Sequence, residues 1–222
     1  MQSVSPPAPE LVLTRPRLRG VWHTWAFVAS IPVGVLLVFL AESTRARAAA
    51  AIFAASVAAM FGASALYHRV TWTPARRLWM RRLDHIGIYG LIAGTYTPFG
   101  LLVLAGAWRS VVLAIVWGGT ALVTALKLLR PSGPKWVAAV ISLALGWVAV
   151  VAFPELVDGA GLAPPLLALA GGIFYTVGAV VYVLRRPNPV PGVFAYHEVF
   201  HALIVGAVVL QYLAVALVVV GA

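Results

Sequence analysis

No cysteine occurs among the 222 residues. This excludes disulfides, catalytic thiolates and every cysteine-based zinc site, so a metal here has only histidine and carboxylate side chains to hold it. Acidic residues are scarce too: there are six, and Glu10, Glu42, Glu155 and Asp158 fall in tails or loops between apolar runs. Asp84 and Glu198 are the carboxylates left within or beside apolar segments. Charged residues make up 10% of the chain, against roughly 25% in an average soluble domain, which excludes a water-soluble globule. The net charge of +10 does not point to nucleic acid. The basic residues are scattered over loops, with no basic helix and no aromatic-rich binding motif. Membrane topology and anionic lipid headgroups account for them.

What the chain has in excess is apolar length. Hydrophobic residues are 62% of the total and gather in seven stretches: Val21 to Ala41, Ala48 to Tyr67, Asp84 to Leu104, Val111 to Leu128, Trp136 to Phe153, Pro165 to Leu184 and His197 to Val220. Each can cross a hydrocarbon core of about 30 Å, the shorter ones with help from flanking residues. The expected fold is an all-α integral membrane protein. A seven-transmembrane-helix bundle over residues 21–222 follows a short, disordered, basic tail at residues 1–20, which holds Pro6, Pro7, Pro9 and Pro16 beside Arg15, Arg17 and Arg19. The first apolar run exceeds the 7–15 residues of a signal-peptide core and is read as a retained helix. Pro32 and Pro98 are expected as kinks, and the small residues Gly90 and Gly94 as a point of close helix packing.

Charge sets the orientation. Placing the N-terminal tail with the second, fourth and sixth loops on one side collects all of the 16 basic residues except Arg45, Arg47 and Arg109. The positive-inside rule makes that side cytoplasmic, with the N-terminus inside and the C-terminus outside. A plasma (inner) membrane location is expected. The fifth loop, Pro154 to Pro164, carries Glu155 and Asp158 and no positive charge, in agreement.

This topology brings polar residues together. His197 and His201 stand four apart, on one helix face. Ser64 and His68 repeat that spacing at the cytoplasmic end of the second span, and Asp84 falls in the expected first turn of the third. Three histidines and a carboxylate suit a catalytic zinc, with imidazoles as ligands and one position left for water. Imidazole also accepts iron, nickel or copper. Each residue has a blander use: His68 snorkelling beside Arg69, Asp84 paired with Arg81 or with the helix dipole, Ser64 bonded back to its own helix. Their convergence at one depth favours the metal. Glu198, rotated by about 100° from His197, is expected to point away and to pair with an arginine. His85 is expected at the interface, and His23 as a supporting or structural residue.

Three motifs resemble the hemolysin III family when taken together: Ser64-x-x-x-His68, the run from Leu83-Asp84-His85 through Ile88-Tyr89 to Thr97-Pro98, and His197-Glu198-Val199-Phe200-His201. That family is related to the progestin and adipoQ receptors and to alkaline ceramidase-like membrane hydrolases. The resemblance implies a seven-helix bundle holding zinc near its cytoplasmic side. His68, His197 and His201 match the ligands, Asp84 the aspartate that holds the metal's water, and Ser64 the motif serine. It also implies a membrane lipid substrate with an amide bond, such as ceramide. The expected activity is zinc-dependent hydrolysis of an amide or ester bond in a lipid, with zinc-bound water as nucleophile, Asp84 as general base and Ser64 steadying the carbonyl. The alternative is a non-catalytic, zinc-stabilised sensor or receptor-like protein. A pore-forming hemolysin ranks below both, because near-continuous apolar spans leave no soluble state.

Overall fold

The computed structural model describes residues 16–129 and 135–222. The expected tail, up to Arg15, lies outside the described residues, as does Arg130. The described residues are mostly helical: α1 (Val21–Leu40), α2 (Thr44–Arg69), α3 (Pro74–Pro98), α4 (Gly106–Leu129), α5 (Lys135–Gly146), α6 (Phe153–Ala160), α7 (Ala163–Leu184) and α8 (Tyr196–Val220). Six helices are long and apolar enough to cross a membrane. There are seven when the bent pair Trp136–Val150 and Phe153–Ala160, angled at 52°, counts as one span. Large apolar side chains such as Phe39, Val35 and Leu184 face outward, the inverse of a soluble surface and the arrangement hydrocarbon requires.

Local chemistry explains the boundaries. Ser43 caps α2, its side chain accepting from the Ala46 amide at 3.1 Å. Pro74 opens α3, where a missing N–H costs nothing. This start corrects the sequence reading: α3 begins well before Asp84, and the stretch carrying Arg76, Arg77, Arg81 and Arg82 is helix, not loop. Hydropathy marks where a helix enters hydrocarbon, and α3 projects beyond that point. Asp84 therefore sits in the body of the helix and not in its first turn. Pro98 does not simply kink α3; the backbone widens into a π-helical segment, Phe99–Val103. Of the two small residues, Gly94 lies so close to α2 that a Cβ would run into Ser56 Oγ, whereas Gly90 faces open space.

The fifth span differs most from expectation. Instead of one helix to Phe153 and a loop after it, α5 gives way at Gly146 to a short 3-10 turn, Val148–Val150, and α6 occupies part of the expected loop. The freed backbone groups are paired from within the bundle. Tyr96 Oη donates to the Gly146 carbonyl at 2.7 Å and accepts from the Ala149 amide at 2.7 Å. Trp147 Nε1 donates to Thr176 Oγ1 at 3.1 Å. Leu156 of α6 is buried against the core, so this segment folds back as helix because it has an apolar side to bury.

The helices pack as neighbours from α1 through α2 and α3 to α4, while α8 lies against α7 and α1 and closes the bundle. The closure brings the end of α2, the first half of α3 and the start of α8 to one place.

A histidine cluster at the basic end of the bundle

At that end α2 finishes with Ser64 and His68 on one face, and α8 begins with His197 and His201 on another. His68 Nε2 and His197 Nε2 approach to 3.2 Å. The rings of His68 and His201 lie 5.0 Å apart between centroids, and those of His197 and His201 4.5 Å. One nitrogen from each of the three falls within 4.8 Å of the others, close enough for a shared metal ion. The donor set suits one: three imidazoles in apolar surroundings, with His201 Nδ1 buried and lacking a hydrogen-bond partner among the described residues. His68 thus turns inward to His197 and does not snorkel beside Arg69.

Asp84 lines the same cavity, beside Ser64. Neither bland use of Asp84 survives. It forms no ion pair with Arg81 among the described residues, and it is too far along α3 for the helix dipole to act strongly. Ser64 is 2% exposed and its Oγ lies 2.8 Å from His23 Nδ1. His23 is the residue sequence reasoning left least defined. It is buried, and its ring stacks on His201 at 3.8 Å between centroids, tilted by 13°. Its depth at the start of the first span was the available signal; its partners belong to α2 and α8 and could not be read from α1. His85 lines the cavity but is outside the three-histidine group.

Glu198 points away from the cluster, as its rotation requires. It is completely buried, its Oε1 lies 2.6 Å from Arg19 Nε, and its Oε2 accepts from the Ala195 amide at 2.9 Å, capping α8. Arg19 belongs to a strap before α1 that is pinned to the loop before α8: the Arg17 amide donates to the Gly192 carbonyl at 3.0 Å and the Leu18 amide to the Val193 carbonyl at 3.2 Å. Gly20 ends the strap with φ +81, directly against His68. The cluster is thereby held from three directions, by α2, by α8 and by the segment entering α1.

Below the cluster runs a cavity of about 560 Å³, within the range of small-molecule sites. Its wall is mostly apolar, and α3 contributes one continuous stripe to it.

The sequence model of the family described as "Haemolysin-III related" matches residues 11–212. The chain belongs to this family. Among curated relatives, the "Hemolysin-3 homolog" of Bacillus subtilis (strain 168) is 28% identical over 193 residues, covering 84% of this chain and 86% of that protein. "Hemolysin-3" of Bacillus cereus is 28% identical over 202 residues, covering 88% of each. This haemolysin-III-related chain is an integral membrane protein with a three-histidine group able to bind a metal ion.

Proposed function

We propose that the protein is an intramembrane zinc-dependent hydrolase that cleaves an amide or ester bond in a membrane lipid such as ceramide. The observation that carries the reading is the placement of His68, His197 and His201, with Asp84 across from them, at the head of an apolar cavity. Three protein nitrogens would leave a tetrahedral metal one position for water, and the cavity that the three histidines line would give a substrate access to it; a structural site would close with a fourth protein ligand. This favours the hydrolase over a zinc-stabilised sensor. Zinc bound there supplies a Lewis acid that makes water nucleophilic near neutral pH.

The chain's own residues do the rest. The Asp84 carboxylate takes a proton from the attacking water and returns it to the leaving amine or alcohol. With its Nδ1 protonated, His23 donates to Ser64, and the Ser64 proton is then available to Asp84 or to the substrate carbonyl. The acyl chain lies in the cavity, away from bulk water. The names of the two relatives speak of lysis by those proteins; in this chain the ionisable side chains at the site gather at one depth and trace no path across the bilayer, which favours hydrolysis over a pore. The cluster's side is taken as cytoplasmic, in a plasma membrane.

The test is metal content of the purified protein, wild type against His68→Ala. About one zinc per chain, lost in the variant, is expected. A metal-free wild type would sink the reading.

A further inference from the structure

The basic residues at the cavity head are not all spent on topology. Arg77, Arg81 and Lys127 line the same cavity as the histidines. Lys127 lies close enough to Arg81 for the two charges to interact. Among the described residues none of the three is paired with a carboxylate; the ion pair at this end joins Arg19 and Glu198. Arg77 instead sits over the Tyr67 ring, 6.0 Å from its centroid, and is exposed, so the cavity opens at this end. Three cations lining one cavity, none of them in an ion pair among the described residues, form a site for a dianionic group, and a guanidinium pair is suited to phosphate.

The order of residues along α3 gives the rest of the ligand. Its cavity-lining residues start with Arg77 and Arg81, pass Asp84 and His85, then run mainly apolar through Ile88, Leu91 and Ile92 to Phe99, with the hydroxyl-bearing Tyr89, Thr95 and Tyr96 among them. From Arg81 the helix advances about 5 Å to Asp84 and about 27 Å to Phe99. A space of about 560 Å³ that reaches from Arg81 to Phe99 has room for one extended acyl chain. Phosphate, acyl carbonyl and hydrocarbon would thus lie in sequence beside cations, Asp84 and apolar wall.

We infer that the cavity takes a single-chain amphiphile whose acyl group is joined to a phosphate-bearing head, with Arg77, Arg81 and Lys127 holding the phosphate. This rests on the lipid-site reading given above and narrows it from neutral amide lipids to phosphorylated ones.

The experiment uses the full chain in nanodiscs of zwitterionic lipid and measures displacement of radiolabelled oleoyl-lysophosphatidic acid. Monooleoylglycerol, which has the same chain without phosphate, is expected to compete at least about tenfold less well. Inorganic phosphate and glycerol 3-phosphate, which lack the chain, are expected not to compete at matched concentration. Arg81→Gln should bring the labelled lipid down to the affinity of monooleoylglycerol, while Arg185→Gln with Arg186→Gln, a control for net charge, should leave it unchanged. Equal competition by monooleoylglycerol, full competition by inorganic phosphate, or a preference that survives Arg81→Gln or falls equally in the control would each overturn the inference. Zinc content and cleavage of a neutral N-acyl amide are read on the same preparation. Zinc present and the amide cleaved, without phosphate preference, defeats the inference alone; absent zinc defeats the hydrolase whatever the lipid result.

Discussion

His23 lies flat against His201, their rings 3.8 Å apart and nearly parallel, while its Nδ1 reaches Ser64 Oγ at 2.8 Å. One side chain on α1 therefore supports a candidate ligand on α8 and the hydroxyl beside Asp84 on α2. Supporting contacts of this kind typically change metal affinity by about 10–100-fold. Two variants separate the contributions. His23→Phe keeps an aromatic face for His201 and loses the bond to Ser64; His23→Ala loses both. In a competition titration against a zinc chelator, the alanine variant is expected to weaken binding by about tenfold or more and the phenylalanine variant by less. Equal, wild-type affinity in both would remove His23 from the site.

Asp84→Asn separates binding from chemistry. The amide keeps the size of the side chain beside Ser64, but cannot take a proton. Zinc content should stay at the wild-type level while hydrolysis falls by about 10²–10⁴-fold, the usual contribution of a positioned general base. Single-turnover cleavage of a lipid amide, paired with zinc analysis, checks both. Activity in this variant would exclude Asp84 as the base.

The sequence disclosed the parts of the site that lie within one helix. Ser64 with His68, and His197 with His201, each repeat at four residues, so one periodicity places both members of a pair on one face. Joining the pairs needed only alternation of spans and the distribution of arginine. His23 was less legible because its partners are on other helices, and contact between helices follows from packing that no local pattern encodes. The true start of α3 was hidden for another reason: hydropathy drops where Arg76 to Arg82 leave the hydrocarbon, yet arginine, leucine and methionine are good helix formers and Pro74 supplies a proper first turn. The same misreading hid the role of Arg77 and Arg81. As loop residues they only set topology; as helix residues they share a stripe with Asp84.

Gly20 sets a steric limit on His68. A Cβ added there would meet His68 Cβ at 2.6 Å, on a backbone with φ +81. Gly20→Ala is therefore expected to cost about 1–2 kcal/mol in backbone conformation alone, and to push His68 from its place opposite His197. Thermal unfolding in detergent should show a lower midpoint, and zinc occupancy should fall with it. A stable variant with full occupancy would mean that the strap before α1 yields easily and does not fix His68.

Arg19 and Glu198 form a pair whose removal one partner at a time tests burial. Glu198 is completely buried, while 19% of the Arg19 side chain remains accessible. Arg19→Ala strands a carboxylate inside the bundle, a change expected to cost about 3–5 kcal/mol at the buried limit. Arg19→Ala with Glu198→Gln should recover part of the loss, because the stranded charge is gone while the amide oxygen can still accept from Ala195. Unfolding midpoints of the two single variants and the double give the coupling directly. Additive losses would show that the ion pair does not tie the strap to α8.

One hydroxyl serves both sides of the bend in the fifth span. Tyr96 Oη serves the Gly146 carbonyl and the Ala149 amide, two backbone groups at the change from α5 to the 3-10 turn. In hydrocarbon no water replaces it. Tyr96→Phe leaves the ring in place and both groups unpaired, at about 1–3 kcal/mol for a buried group left without its partner. The helix would regain these bonds by straightening, and straightening would draw α6 away from the core and reshape the cavity wall that Gly146 and Ala149 help to line. Lower thermal stability with faster amide exchange around residues 146–152 is expected, while zinc content is unchanged because α2 and α8 are untouched. Wild-type exchange at those amides would mean that the break is held by Trp147 and Thr176 without Tyr96.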